Sequence, residues 1–259
     1  MKIGAQLYTV RDFCRTPEDL ENTLKKCAEI GYKSVQLSGI CEVDPSLLRG
    51  WLDKYGLEAP ITHTAFGRIV EDTDRVIAEH KLIGARCVGL GSMPDFKKSG
   101  CDKAVFDAGL DKLRPAIEKI AKAGLKFMYH NHNMEFCRFD NGMLCMDYIA
   151  SLYPSEVFGV TLDCYWVTAG GGDPVFWLEK LKGRTDCIHL KDMIYYGPES
   201  AVRMAPVGEG NLNHPAILEA CRRTGVEFAF VEQDHCYGRD PFECLDSSLK
   251  YLRAAGFPD

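Results

Sequence analysis

No stretch of the chain approaches the roughly 18 consecutive apolar residues that a membrane span needs. No basic stripe is visible either. Lys and Arg number 31 against 37 Asp and Glu, a formal net charge of -6, whereas nucleic-acid binders usually present a cationic face. The nearest basic pairs, Lys97-Lys98 and Arg222-Arg223, read as solvated surface. The twelve cysteines include no Cys-x-x-Cys pair. Several of them (Cys27, Cys87, Cys187, Cys221) sit inside helix or strand patterns as small hydrophobes, so the thiols are expected to be reduced and the protein cytoplasmic. The opening run MKIGAQLYTVRDF is broken at Gln6, Arg11 and Asp12, which predicts no signal peptide. No Gly-x-Gly-x-x-Gly fingerprint follows the first strand, which counts against a doubly wound dinucleotide fold. No linker or low-complexity stretch interrupts the chain. These absences argue against membrane and nucleic-acid partners and leave a small molecule as the expected one.

What is present is regular. The chain has 259 residues, 46% of them apolar and 26% charged, an ordinary globular composition. Strand-like and helix-like segments alternate throughout. The strands read KIGAQLY, KSVQLSG, EAPITHT, ARCVGLG, LKFMYHNH, VFGVTLD, DCIHLKD and EFAFVEQ. Helices are expected near 17–30, 45–55, 69–83, 102–123, 145–153, 174–182, 214–224 and 241–255. Gly31, Gly124 and Gly225 close three of them in the short helix–Gly–X–strand turn of parallel α/β proteins. Eight units of about 32 residues match a (β/α)₈ TIM barrel, expected as a single domain over residues 1–259. The stretch IYYGPESAVRMAPVGEGNLN is the longest irregular segment, and long loops in compact domains are usually functional.

Barrel chemistry sits at the C-terminal ends of the strands. There the sequence places Gln6 and Tyr8, Gln36, His63, His130, Asn131 and His132 with Glu135 just beyond, Asp163, His189 with Lys191 and Asp192, and Glu232 with Gln233 and Asp234. Four of the seven histidines fall in this set. An Asp, a His and a Glu from separate strands, plus one further ligand, suit one divalent ion: Mn²⁺, Mg²⁺, Co²⁺ or Zn²⁺. Open positions on such an ion accept a vicinal diol or hydroxyketone. Each residue also has a plainer reading. Asp163 can cap the next segment, Glu232 can pair with Lys191, and Arg203 can pair with Glu199.

The motifs MKIGAQLYTVRD, YHNHNMEF, GVTLDCYWVTAGGGDP, HLKD, PVGEGNLN and VEQD resemble the sugar phosphate isomerase/epimerase family of xylose isomerase-like TIM barrels, nearest its inosose-dehydratase-like branch. The resemblance spans essentially the whole chain. It implies one divalent metal held by residues from strands five to eight, of which Asp163, His189 and Glu232 carry over. At strand five many members have a glutamate where this chain has His130. That leaves two alternatives: His130 replaces the glutamate, or Glu135 folds back to ligate and His130 serves as acid or base. The resemblance further implies a metal-dependent isomerase, epimerase or lyase (dehydratase) of carbohydrate metabolism. Such an enzyme takes a proton from carbon next to a carbonyl of a small sugar, keto-sugar or polyol. His130, His132, Glu232 and Lys191 are the expected catalytic group, with Tyr8, Gln36, His63 and Arg203 on the substrate. The alternatives are an endonuclease IV-like phosphodiesterase and a non-catalytic sugar-binding protein. Homo-oligomers are common in the family, and the sequence leaves the oligomeric state open.

Overall fold

The computed structural model describes residues 1–257. Seven parallel strands form one curled sheet: β1 (Lys2–Gln6), β2 (Ser34–Gln36), β3 (Cys87–Leu90), β4 (Lys126–His130), β5 (Phe158–Asp163), β6 (Cys187–Leu190) and β9 (Phe228–Val231). Their order across the sheet is β2-β1-β9-β6-β5-β4-β3. The expected third strand, 58–64, closes the ring between β2 and β3 through isolated parallel bridges: Ser34 with Glu58, Leu37 with Thr62, and Ile61 with Cys87. Pro60 explains why this segment is not a continuous strand. It has no N–H to give to a ladder, although its carbonyl still accepts from Arg86 and Cys87 at 2.9 and 3.0 Å.

The helices follow the amphipathic pattern, with their apolar faces on the sheet. α1 (Pro17–Ile30), α2 (Pro45–Tyr55), α5 (Lys103–Lys122), α9 (His214–Thr224) and α10 (Pro241–Ala254) lie close to their expected bounds. The helix expected over 69–83 is two, α3 (Phe66–Glu71) and α4 (Thr73–Ile83), broken at Asp72. α6 (Cys145–Ser151) and α8 (Pro174–Lys180) are slightly shorter than expected. α7 (Cys164–Ala169) was not expected; Asp163 starts it by accepting from Trp166 N at 2.9 Å. The supposedly irregular segment after β6 is also ordered. It opens as an antiparallel hairpin of β7 (Asp192–Tyr196) and β8 (Ala201–Ala205).

Strand alternation stacks the barrel interior in layers. At the N-terminal end Ile61, Cys87, Met128, Cys187, Phe228 and Phe230 form an apolar plug. The Phe230 ring lies where a side chain at residue 4 would go: a Cβ on Gly4 would come within 2.6 Å of it. Two residues further along the same strands the plug gives way to polar groups. Met128 is followed by His130 and His132, Cys187 by His189 and Lys191, and Phe230 by Glu232 and Asp234. The period of two thus carries these groups to one mouth, over an apolar floor.

Candidate metal centre and substrate cavity

His130, Asp163, His189 and Glu232 are buried, and each offers a ligand atom within 4.8 Å of the others. Ligands facing each other across one divalent ion lie about 4–5 Å apart, so the group is of the right size. The hydrogen bonds also orient the rings. His189 Nε2 lies 2.6 Å from Gln36 Oε1, and His130 Nδ1 lies 3.0 Å from the Gly91 carbonyl. Both partners are acceptors, so both nitrogens carry the proton. The second nitrogen of each ring then presents a lone pair inward. His189 Nδ1 faces Glu232 Oε2 at 2.8 Å, and His130 Nε2 faces Asp163 Oδ2 at 3.3 Å. His189 Nδ1 is sealed from solvent without a hydrogen bond, and Glu232 Oε2, equally sealed, has the Lys191 ammonium 3.0 Å away. Lone pairs aimed at one another across a buried space require a shared cation or an extra proton. The donor set therefore fits a divalent ion.

The charges agree with this. Burial alone would raise the Asp163 carboxyl, but the Lys191 ammonium and the His130 and His189 rings hold it well below the carboxylate range. Burial opposes the charge on Glu232 as well, and Lys191 and His189 outweigh it, so that carboxyl also sits low. Burial, with the neighbouring His189, lowers His130. His189 is raised: burial disfavours its cation, but Glu232 and Asp163 more than compensate. Lys191 is itself buried, with Nζ 3.1 Å from Asp163 Oδ2, 3.0 Å from Glu232 Oε2 and 2.9 Å from Asp234 Oδ1.

Above this group opens a cavity of about 440 Å³, lined among others by Tyr8, Ser38, His63, Phe66, His132, Lys191, Glu232 and Asp234. His132 lies against Trp166, the ring centroids 5.4 Å apart and the planes tilted by 45°, and it has no hydrogen bond at Nδ1. Burial and the adjacent His130 push its ring down to about 3. His63 contacts Ser38 Oγ at 3.3 Å and Gln6 Nε2 at 3.4 Å. Burial takes it well below the usual imidazole range, helped by the charges of His130 and His189.

Three residues singled out from the sequence lie elsewhere. Gln36 does not line the cavity; it is fully buried behind His189 and holds that ring. Glu135 is outside the ligand group. Its carboxylate accepts from the Tyr129 hydroxyl and the His132 N–H, both at 2.7 Å. Of the two alternatives for strand five, His130 is the one that faces Asp163. Arg203, on β8, is also outside the cavity lining. It is paired with Glu199 and sandwiched between Tyr196 at 3.9 Å and Tyr237 at 4.4 Å. Arg203→Ala is expected to leave the Michaelis constant within twofold and to destabilise the hairpin by about 1 kcal/mol. Steady-state kinetics and thermal melts check both.

Two further residues at strand ends were given no part in the chemistry. Asp234 was seen at a strand end but given no role. It follows Glu232 by two and so shares its inward face. Burial and the Glu232 charge raise its carboxyl to about 6. Asp192 organises the segment beyond the hairpin. Its carboxylate accepts from the N–H groups of Gly208, Gly210 and Leu212 at 2.9–3.1 Å.

Glu135 gives a pH prediction. Burial raises its carboxyl to about 7, against 4.5 ordinarily, and the bonds from Tyr129 and His132 only partly offset this. The folded chain therefore binds the proton more tightly than the unfolded chain. The resulting stability is present in full below about 4.5 and is lost as pH rises through about 7. Glu135→Gln keeps one of the two acceptor oxygens and removes the titration. Melting curves should show the variant gaining up to about 3 kcal/mol on the wild type between pH 4.5 and pH 8. A difference that does not change with pH would refute this.

A model of the xylose isomerase-like TIM barrel family matches residues 24–255, and the chain belongs to that family. It is 24% identical over 195 residues to an inosose dehydratase of Geobacillus kaustophilus (strain HTA426); the alignment covers 67% of this chain and 62% of that protein. A sugar phosphate isomerase/epimerase of Parabacteroides distasonis ATCC 8503 shares the fold at a TM-score of 0.79 and 23% identity, over 100% of this chain and 95% of that one. An L-ribulose 3-epimerase aligns at 0.73 and 16% identity, over 98% and 94%. The structural likeness at these identities is one of fold. No helix among the described residues is long and apolar enough to cross a membrane.

Proposed function

We propose that residues 1–259 form one barrel domain that acts as a divalent-metal-dependent isomerase, epimerase or dehydratase on a small uncharged sugar, keto-sugar or polyol. One observation carries the reading. Two imidazoles, each pinned through its far nitrogen, aim lone pairs at two buried carboxylates at the mouth of the barrel. His130, Asp163, His189 and Glu232 would hold the ion. When bound, it supplies Lewis-acid polarisation of a substrate oxygen.

The remaining steps belong to the chain's own side chains. Tyr8, Phe66 and Leu90 give the cavity an apolar wall for the C–H face of a sugar, and Ser38, Thr64 and Ser92 bring hydroxyls for its oxygens. His132 is the group placed to take the proton. It lines the cavity, its Nδ1 has no hydrogen-bond partner, and burial keeps its ring uncharged at neutral pH. Negative charge developing beside it would strengthen it as a base. Lys191 faces the same space and is placed to stabilise oxyanion charge.

Charge supports an unphosphorylated substrate. Lys191 is the one Lys or Arg among the residues lining the cavity, and three carboxylates already claim it. The same poverty in cations weighs against phosphodiester chemistry. The test is exchange in deuterated buffer, with Mn²⁺ or Co²⁺ added, over a panel of keto-polyols and ketoses. Deuterium should enter the carbon next to the carbonyl. Tight binding of panel members with no exchange and no turnover would refute the enzymatic reading in favour of a sugar-binding protein.

A further inference from the structure

Lys191 shares its counter-charges with the ion that the ligand group fits. Its ammonium lies 3.1 Å from Asp163 Oδ2 and 3.0 Å from Glu232 Oε2. These are the same two oxygens that face the ring nitrogens of His130 and His189. An ion held by the four side chains draws on both oxygens. A divalent cation and an ammonium on one pair of oxygens repel each other, and burial leaves little solvent to screen them. Asp234 offers a second place. Its Oδ1 and Oδ2 lie 2.9 and 3.1 Å from Lys191 Nζ, and it is not one of the four converging donors. It lines the cavity together with Lys191.

Resting on the reading of a metal site, we propose that Lys191 and the metal ion compete for Asp163 Oδ2 and Glu232 Oε2, and that Asp234 takes the ammonium when the ion binds. Without the ion, the ammonium keeps the buried carboxylates charged and in register. With it, the ammonium is left to a single carboxylate at the cavity wall, where it faces substrate. Loading the ion and arming the cavity's cation become one event. The third carboxylate, two residues beyond Glu232 on the same face, then has a reason to be there.

The test is a titration of the purified full chain with Co²⁺ and with Mn²⁺, by calorimetry and, for Co²⁺, by visible absorption. Four proteins are compared: wild type, Lys191→Met, Asp234→Asn and the double variant. Lys191→Met should bind the ion at least tenfold more tightly, because the competing charge is gone. Asp234→Asn should bind about tenfold more weakly, because the displaced ammonium loses its partner. The double variant should match Lys191→Met, since Asp234 acts only through the lysine. Unchanged or weaker binding by Lys191→Met overturns the proposal. So does a loss from Asp234→Asn that persists undiminished in the double variant, which would make Asp234 a direct contributor to the ion. If Lys191→Met does not fold, Asp234→Asn alone decides, and wild-type affinity in that variant overturns the proposal. An ion bound by Lys191→Met but not by the wild type upholds the competition and sinks the metal-dependent function. No ion on any folded variant sinks both.

Discussion

On the metal-dependent reading proposed above, Glu232→Gln is expected to yield a folded protein that holds no divalent ion and does not turn over. Glu232 contributes one of the two carboxylates in the ligand group, and its Oε2 faces His189 Nδ1 at 2.8 Å. Glutamine has the same shape but neither the charge nor the second acceptor oxygen. Removing one partner from a buried charged cluster costs about 3–5 kcal/mol, or about two to four orders of magnitude in ion affinity. The fold should survive, because Lys191 keeps Asp163 and Asp234 as partners. Asp163→Asn should behave alike. Asp163 Oδ1 also caps α7 through Trp166 N, and asparagine caps as well as aspartate, so that variant loses the ion while α7 keeps its start. Elemental analysis and melting curves of both variants check this. A Glu232→Gln protein that keeps a stoichiometric ion at wild-type affinity would show that the carboxylate is structural.

His132→Ala and His130→Ala should fail in different ways. His130 has both ring nitrogens engaged, one by the Gly91 carbonyl and one toward Asp163. Its loss should appear first as loss of the ion. His132 stands outside the ligand group on the cavity wall. His132→Ala should therefore keep the ion while the exchange of substrate hydrogen with solvent falls by roughly 10²–10⁴, the usual cost of removing a general base. Ion content and deuterium wash-in, measured on the same preparations, separate the two. A fall of less than tenfold in His132→Ala would move the base elsewhere, with Glu232 the first residue to examine.

How much of this was readable in the sequence differs from element to element. The Gly31 and Gly225 exits were legible because a left-handed residue after an amphipathic run has a local cause, and both glycines have positive φ. The break at Pro60 was equally local, yet the alternation around it masked it. The hairpin after β6 was not legible. Its pairing depends on Asp192 meeting Ala205 across the turn. Arg203 looked like a substrate contact because it lies in a long loop. The structure gives it to Glu199 and two tyrosine rings, one of them contributed by the distant Tyr237.

The sequence by itself determined the barrel and the strand ends on which its chemistry stands. Helix and strand periods are local, and a period of two puts His130 with His132, His189 with Lys191, and Glu232 with Asp234 on common faces. Only the tertiary structure decided which of these groups meet. Gln36 behind His189, Gly91 behind His130 and Lys191 among three carboxylates are contacts between different strands. Closing the ring sets those distances, and no spacing along one strand encodes them. Which of His130 and Glu135 faces Asp163 fell to the same cause. Both sit on one short stretch of chain, but only His130 points into the barrel toward Asp163, while Glu135 turns back to Tyr129.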